Sequence, residues 1–360
     1  MKSLILQESF ETDPTERGWH ATGADGHQPA WLKNQGLSAS ACLSIPAGHW
    51  DSPAFSVKPF SCYQVRYWLK CGRNSYAAAI FYDRDGRELP SDHYTGADPS
   101  ATWQERKLCF LAKAEASQAK VRFRCLSEPL LVDEVEISQV AEAQVLTWLD
   151  DIYSTMPALA CRVPAEGVKP LAHFLKKLKG TGRLRIVLVG DSVVNDISNS
   201  FFHLLLQRHF PQIRIEVVSA TKSGGNCAYY GQDQPLSQHI LLFQPDLVMV
   251  GGISHGGNTE AIRQLVEKVT QVSQADILLL TGAFITPERQ RGSDYPERLR
   301  LLASQLGTGF LDTETIWSEY VALSGHPADW FLRDSHHANE RGKQVIARLL
   351  EKFFCAGVRS

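Results

Sequence analysis

Apolar and polar residues alternate with two different periods along this chain, and the change falls near residue 141. Before it, short runs alternate at every second position, the spacing of a half-buried strand. Tyr63–Lys70, Ala77–Tyr82, Lys120–Cys125 and Leu131–Ile137 are such runs, and turn-forming clusters such as Asp83-Arg84-Asp85-Gly86 lie between them. Many short strands punctuated in this way predict an all-β sandwich of jelly-roll type over residues 1–140.

After residue 141 the period lengthens. Val145, Leu146, Leu149 and Ile152 fall on one helical face, a proline-containing stretch runs from Pro157 to Pro164, and Pro170–Leu178 reads as a further helix. Residues 141–180 are therefore expected to be linking helices. From 181 to 360, solid apolar runs of strand length alternate with helical patterns. The runs are Arg185–Val189, Ile213–Val218, Leu247–Val250, Ile277–Leu280 and Gly309–Leu311. Val193–Phe210 reads as one helix. Ile262, Leu265, Val266, Val269 and Val272 share one face of another, with Asn258 placed to cap it. This alternation predicts an α/β unit, a parallel sheet covered by helices on both faces. In such folds ligands bind at the carboxyl ends of the strands, so the residues just past each apolar run carry the chemistry.

Composition narrows the function classes. The chain has 360 residues, 44% hydrophobic and 21% charged, which is ordinary for a water-soluble globular protein. A net charge of -2 offers no electrostatic footprint for nucleic acid. No apolar run approaches the roughly 18–20 residues that span a membrane, so neither partner is expected. The starting run Leu4-Ile5-Leu6 stops at Gln7, short of the about 7–15 residues of a secretory leader. As given, the chain is expected in the cytoplasm, or outside it if a leader has been removed. The 8 cysteines form no Cys-x-x-Cys pair and are expected as buried thiols, with a disulfide among Cys42, Cys62, Cys71, Cys109 and Cys125 left open. No metal-ligand spacing is evident.

Four segments at strand ends carry candidate chemistry. Gly190-Asp191-Ser192 follows the first strand of the α/β half. It places Ser192 at a helix N-terminus, where its hydroxyl can act as nucleophile and its N–H can face an oxyanion. Ser223-Gly224-Gly225-Asn226 follows the second strand, and a glycine there lets a backbone N–H approach a ligand. Gly251-Gly252-Ile253-Ser254-His255-Gly256-Gly257 follows the third. Near the C-terminus comes Asp334-Ser335-His336-His337. A serine is a poor nucleophile until a base takes its proton. His337 is placed to do so, with Asp334 holding the imidazole.

With these four segments in order, residues 182–355 resemble the SGNH (GDSL-like) hydrolases. The nucleophile block matches Gly190-Asp191-Ser192, and the second-block glycine matches Gly224, with Gly225 as the alternative. The final Asp-x-x-His matches Asp334 and His337, followed by Asn339 and Gly342. The resemblance implies a flavodoxin-like three-layer fold and a serine esterase that uses no cofactor. One block departs. Where the family reads Gly-x-Asn-Asp, this chain has Gly252-Ile253-Ser254-His255, so either Ser254 or Asn226 takes the place of the third oxyanion donor, or the oxyanion hole is weaker, or the chemistry is altered. Asn226 and His255 are also candidate substrate contacts.

The first half resembles the galactose-binding-like jelly-roll modules attached to carbohydrate-active enzymes. Glu8-Ser9-Phe10-Glu11, Gly18-Trp19, Tyr63–Lys70, Thr102-Trp103-Gln104 and Leu131–Val135 carry the likeness. It implies that aromatics in loops, here Trp31, Trp50 and Tyr94, stack on sugar rings. Together the two resemblances imply an esterase that deacylates, and foremost deacetylates, a carbohydrate. An O-acyltransferase with the same triad and a carbohydrate-binding protein with a decayed catalytic half remain as alternatives.

Overall fold

The structure is a computed structural model that describes residues 2–72, 75–90, 93–96, 98–125, 128–160, 163–164, 166–255, 257–284 and 294–359. The chain divides into two compact units, Met1–Trp148 and Leu149–Ser360.

The first unit is antiparallel throughout. Its strands are β1 Ser3–Glu8, β2 His20–Gly23, β3 Ala30–Leu32, β4 Cys42–Ile45, β5 Gly48–Asp51, β6 Phe55–Ser56, β7 Cys62–Cys71, β8 Ser75–Tyr82, β9 His93–Gly96, β10 Ser100–Leu111, β11 Gln118–Cys125 and β12 Leu130–Val140. One sheet runs β10-β7-β12-β4-β3 with β1 paired to β12, and the other runs β2-β5-β11-β8-β9 with β6 paired to β11. Alternation decides what faces inward. Val65, Tyr67 and Leu69 of β7 meet Val121 and Phe123 of β11 in one apolar core, while Arg66 between them is exposed and paired with Glu105 and Glu136.

This core takes one of the expected sugar contacts. Trp50 is not in a loop. It lies in β5 opposite Phe123, is 3% exposed, and belongs to the core cluster. Alternation along the strand puts His49 and Asp51 on the other face of the sheet, where Asp51 is buried against Arg122, and turns the residue between them into the core. Trp31 sits on edge strand β3, packs half-buried against the same core, and donates its indole N–H to the Phe10 carbonyl at 2.8 Å. Tyr94 sits on edge strand β9, edge-to-face with Tyr76 at 5.8 Å. Cys42, Cys62, Cys71, Cys109, Cys125, Cys227 and Cys355 stand as thiols, so none of the first unit's described cysteines forms the disulfide left open. Cys161 lies outside the described residues.

The second unit is built on β13 Gly182–Gly190, β14 Ile213–Thr221, β15 Leu247–Val250, β16 Asp276–Leu280 and β17 Gly309–Leu311. They form a 5-stranded sheet in the order β14-β13-β15-β16-β17, every pair parallel. Its helices are α1 Glu142–Ser154, which begins in the first unit, α2 Ala172–Leu178, α3 Ser192–Ser198, α4 Phe202–His209, α5 Cys227–Tyr230, α6 Asp233–Pro235, α7 Thr259–Val272, α8 Tyr295–Leu306, α9 Thr313–Ser324 and α10 Glu340–Arg359. Asn258 caps α7 by accepting the Ala261 N–H at 3.1 Å. Among the described residues no helix is long and apolar enough to cross a membrane.

The single helix expected over Val193–Phe210 is in fact two, α3 and α4. Ser198 and Ser200 turn their hydroxyls back onto the Asn195 and Ile197 carbonyls, each at 2.7 Å, and Phe201 adopts a left-handed φ of 60°. Serine side chains offer the backbone local bonds that compete with the helical ladder. The break ends α3 after two turns.

Candidate active site

The site forms where β13 ends. Asp191 caps α3, its Oδ1 accepting the N–H groups of Val193 at 3.0 Å and Val194 at 3.4 Å. Ser192 is the first residue of α3. A helix leaves its first N–H groups unbonded, and among the described residues the Ser192 N–H has no acceptor. That places a donor and the positive end of the helix dipole beside the serine hydroxyl.

His337 Nε2 lies 2.8 Å from Ser192 Oγ, and His337 Nδ1 lies 2.8 Å from Asp334 Oδ2. A carboxylate only accepts, so Nδ1 carries the proton and Nε2 is left to accept from the serine. Asp334 Oδ1 also accepts the backbone N–H groups of His336 at 3.0 Å and His337 at 2.9 Å. Burial alone would raise the Asp334 carboxyl. The hydrogen bonds from the His337 ring and the His336 backbone outweigh it and hold the group well below the usual carboxylate range. The structure thus brings Ser192, His337 and Asp334 into one hydrogen-bonded chain. One ligand atom each from Asp334, His336 and His337 also falls within 4.8 Å, a set able to hold a metal ion. His337 and Asp334 are already engaged with each other and with the serine.

The second segment is pinned beside the first. Lys222 N–H and the Tyr230 hydroxyl both donate to the Gly190 carbonyl, at 3.1 and 3.0 Å. Gly225 N–H closes the turn onto Lys222 O at 2.8 Å, so its amide is taken. Gly224 is exposed with a φ of 66°, and among the described residues its N–H has no acceptor. Asn226 caps α5 by accepting the Tyr229 N–H at 3.2 Å through Oδ1.

The third segment is held by Asp191 as well. Its Oδ2 accepts the N–H groups of Ile253 and Ser254, both at 2.7 Å. The Ser254 amide is therefore occupied, and its half-buried hydroxyl is left as the donor it can offer. His255 is not a substrate contact. It is 6% exposed, with Nε2 donating to Gly251 O at 2.8 Å and Nδ1 accepting the Cys227 N–H at 3.4 Å. Nδ1 ties the third segment to α5 while Nε2 closes that segment on itself, and burial lowers the ring's pKa. Gly256 lies outside the described residues.

Asn339, the residue after the histidine block, is a brace. Its Oδ1 accepts from Arg341 and Gly342 N–H, and its Nδ2 donates to Trp330 O at 2.9 Å and Leu332 O at 3.3 Å. Sequence reasoning missed Asp196 and Arg333, a buried ion pair at 2.8 Å joining α3 to the His337 loop. The available signal was the four-residue step from Ser192 to Asp196, which puts both on one helix face. Nothing in the sequence points to Arg333 as its partner.

Fold and site together define a class: a parallel α/β sheet whose second-lying strand ends in a serine engaged by a histidine and an aspartate, preceded in the chain by an antiparallel sandwich. No family model and no curated protein matches the sequence. Solved structures resemble parts of the chain. A two-domain esterase (CEX) active on acetylated mannans, co-crystallized with mannopentaose, is 15% identical with a TM-score of 0.46, over 56% of this chain and 58% of that one. The present chain thus spans little more than half of that protein's length. A catalytic mutant of Axe2, an acetylxylan esterase from Geobacillus stearothermophilus, is 17% identical with a TM-score of 0.41, over 49% of this chain and 96% of that one. The CBM22-1 xylan-binding domain of Paenibacillus barcinonensis Xyn10C is 15% identical with a TM-score of 0.30, over 38% of this chain and 95% of that one. What the present site can do rests on its own geometry.

Proposed function

We propose that this protein is a serine esterase that removes acyl groups, acetyl foremost, from a carbohydrate. One observation carries the reaction type: Ser192 Oγ within 2.8 Å of His337 Nε2, with Asp334 behind the far ring nitrogen. In this reading His337 takes the Ser192 proton as the oxygen attacks the ester carbonyl. The oxyanion is met by the N–H groups of Ser192 and Gly224 and by the Ser254 hydroxyl. His337 then protonates the departing sugar oxygen, and water, deprotonated by the same ring, releases the acyl group from Ser192. Asp334 stays ionised and stabilises the imidazolium formed in each step. No cofactor takes part in this sequence of steps. The carbohydrate half of the proposal is supported by the resemblance of the first unit to sugar-binding modules. It is an argument by fold and not by site.

The test is hydrolysis of p-nitrophenyl acetate, and acetate release from an O-acetylated polysaccharide, by wild type and Ser192→Ala. Loss of a nucleophile of this kind lowers kcat on the order of 10⁶-fold. Turnover that survives the substitution rejects the mechanism. Cleavage of the small ester with none of the polysaccharide rejects the substrate.

A further inference from the structure

The loop that carries His337 is gripped a second time, one helical turn from Ser192. Asp196 is 1% exposed on α3, four residues beyond Ser192 and so on the same face of the helix. Arg333 Nη1 donates to its Oδ1 at 2.8 Å, to its Oδ2 at 3.0 Å, and to the Ala338 carbonyl at 2.6 Å. The peptide unit between His337 and Ala338 is held at both polar groups. Its carbonyl accepts the Arg333 N–H at 2.9 Å, and its N–H donates to Asp196 Oδ2 at 3.0 Å.

We propose that Asp196 and Arg333 are positioning residues that fix the distance between the Ser192 hydroxyl and the His337 ring. The inference rests on the reading of that pair as nucleophile and base. Two devices then divide the task. Asp334 sets the rotation of the ring from within its own loop. Asp196 sets where the backbone of His337 stands, because the helix bearing the nucleophile also bears the carboxylate that holds the next peptide. The histidine is thereby referenced to the serine through one turn of helix and not through its own loop alone. A buried ion pair is a poor device for stability, since apolar residues of similar volume often serve as well. A pair that also binds the peptide after the base has a geometric use that an apolar pair lacks. Displacing a reacting group by about 1 Å can cost on the order of 10²-fold in rate.

The test compares the rate at which an organophosphonate ester labels Ser192, followed by intact mass, with kcat and KM on p-nitrophenyl acetate. Arg333→Met is expected to slow labelling and kcat by on the order of 10²-fold, with KM changed less than about twofold. Arg333→Lys is expected to retain more of both rates than Arg333→Met, because the three contacts that hold Asp196 and Ala338 converge on Nη1 and an ammonium supplies three donors from one point. The double variant Asp196→Leu/Arg333→Met removes the pair without leaving a lone buried charge. It is expected to melt near the wild-type temperature yet label about 10²-fold slowly. Wild-type labelling rates in the folded double variant, or equal losses in Arg333→Lys and Arg333→Met, would overturn the inference. If the double variant does not fold, the lysine and methionine variants decide alone. A wild type that labels at Ser192 but hydrolyses no ester rejects the proposed function while the labelling rates still judge the clamp. A wild type that never labels overturns both.

Discussion

Asp191 closes on Gly252 so tightly that a β-carbon on that glycine would lie 2.6 Å from Oδ1 and 2.8 Å from Oδ2. Gly252 also has a φ of 110°, a conformation that side chains resist. The reason for the approach is the carboxylate itself, which caps α3 with one oxygen and holds the N–H groups of Ile253 and Ser254 with the other. The nucleophile turn and the third segment are one rigid piece. Gly252→Ala is expected to cost roughly 2–4 kcal/mol by strain and by loss of these bonds, and to depress esterase turnover. Denaturant unfolding measures the first part. An unchanged midpoint contradicts the account.

Ser254 and Asn226 separate cleanly as candidates for the remaining oxyanion donor. Ser254→Ala removes a hydroxyl and is expected to lower kcat about 10²-fold with little change in KM, the pattern of a bond made in the transition state. Asn226→Ala removes a helix cap and is expected to cost about 1 kcal/mol of stability. Steady-state kinetics and thermal melts on both variants read the two effects. The opposite assignment, a large kcat loss in Asn226→Ala alone, moves the donor to Asn226.

Asp334 predicts a specific pH behaviour. Its folded pKa is depressed, so it favours the fold above its unfolded value of about 3.9, and that contribution is lost as pH falls through the folded value. The acid limb of the rate profile therefore does not belong to this carboxyl. Asp334→Asn is expected to lower kcat on the order of 10⁴-fold by admitting the wrong histidine tautomer, and to make the acid side of the stability curve less steep. An unchanged acid slope in the variant counts against the pairing.

Glu314 behaves in the opposite sense. It is 5% exposed in the first turn of α9, where a helix dipole favours a negative charge. Burial, with the charge of Asp312 adding to it, wins and raises the carboxyl to about 7. Unfolded, the same group ionises near about 4.3. Between those values the unfolded chain gives up a proton that the fold retains, so stability is full below the lower value and falls as pH rises through the upper one. Glu314→Gln is expected to flatten this decline, its advantage in melting temperature over wild type growing from about pH 5 to about pH 8. Parallel curves for the two proteins reject it.

Much of this was legible in the residues. The strand runs Arg185–Val189, Ile213–Val218 and Leu247–Val250 read as buried because both faces of a parallel sheet are covered, and they became β13, β14 and β15. The change of period near residue 141 announced an antiparallel sandwich followed by an α/β unit, and both are present. The order of Gly190-Asp191-Ser192, Gly224 and Asp334-x-x-His337 along the chain was enough to nominate the reacting groups. Trp50 misled because a 4-residue strand between turns looks like a loop. The break at Phe201 was hidden because its serines are tolerated in helices as well as in turns.

What the sequence determined by itself was local. Side-chain period follows from the backbone repeat, and the repeat is written in consecutive residues. What only the tertiary structure decided was which polar groups are already spent. The Gly225 and Ser254 amides are bonded while those of Gly224 and Ser192 are open among the described residues, and both ring nitrogens of His255 are engaged. Asp196 meets a residue 137 positions away. A hydrogen bond depends on where two distant loops are brought by sheet order and helix packing, and no short stretch of chain encodes that distance.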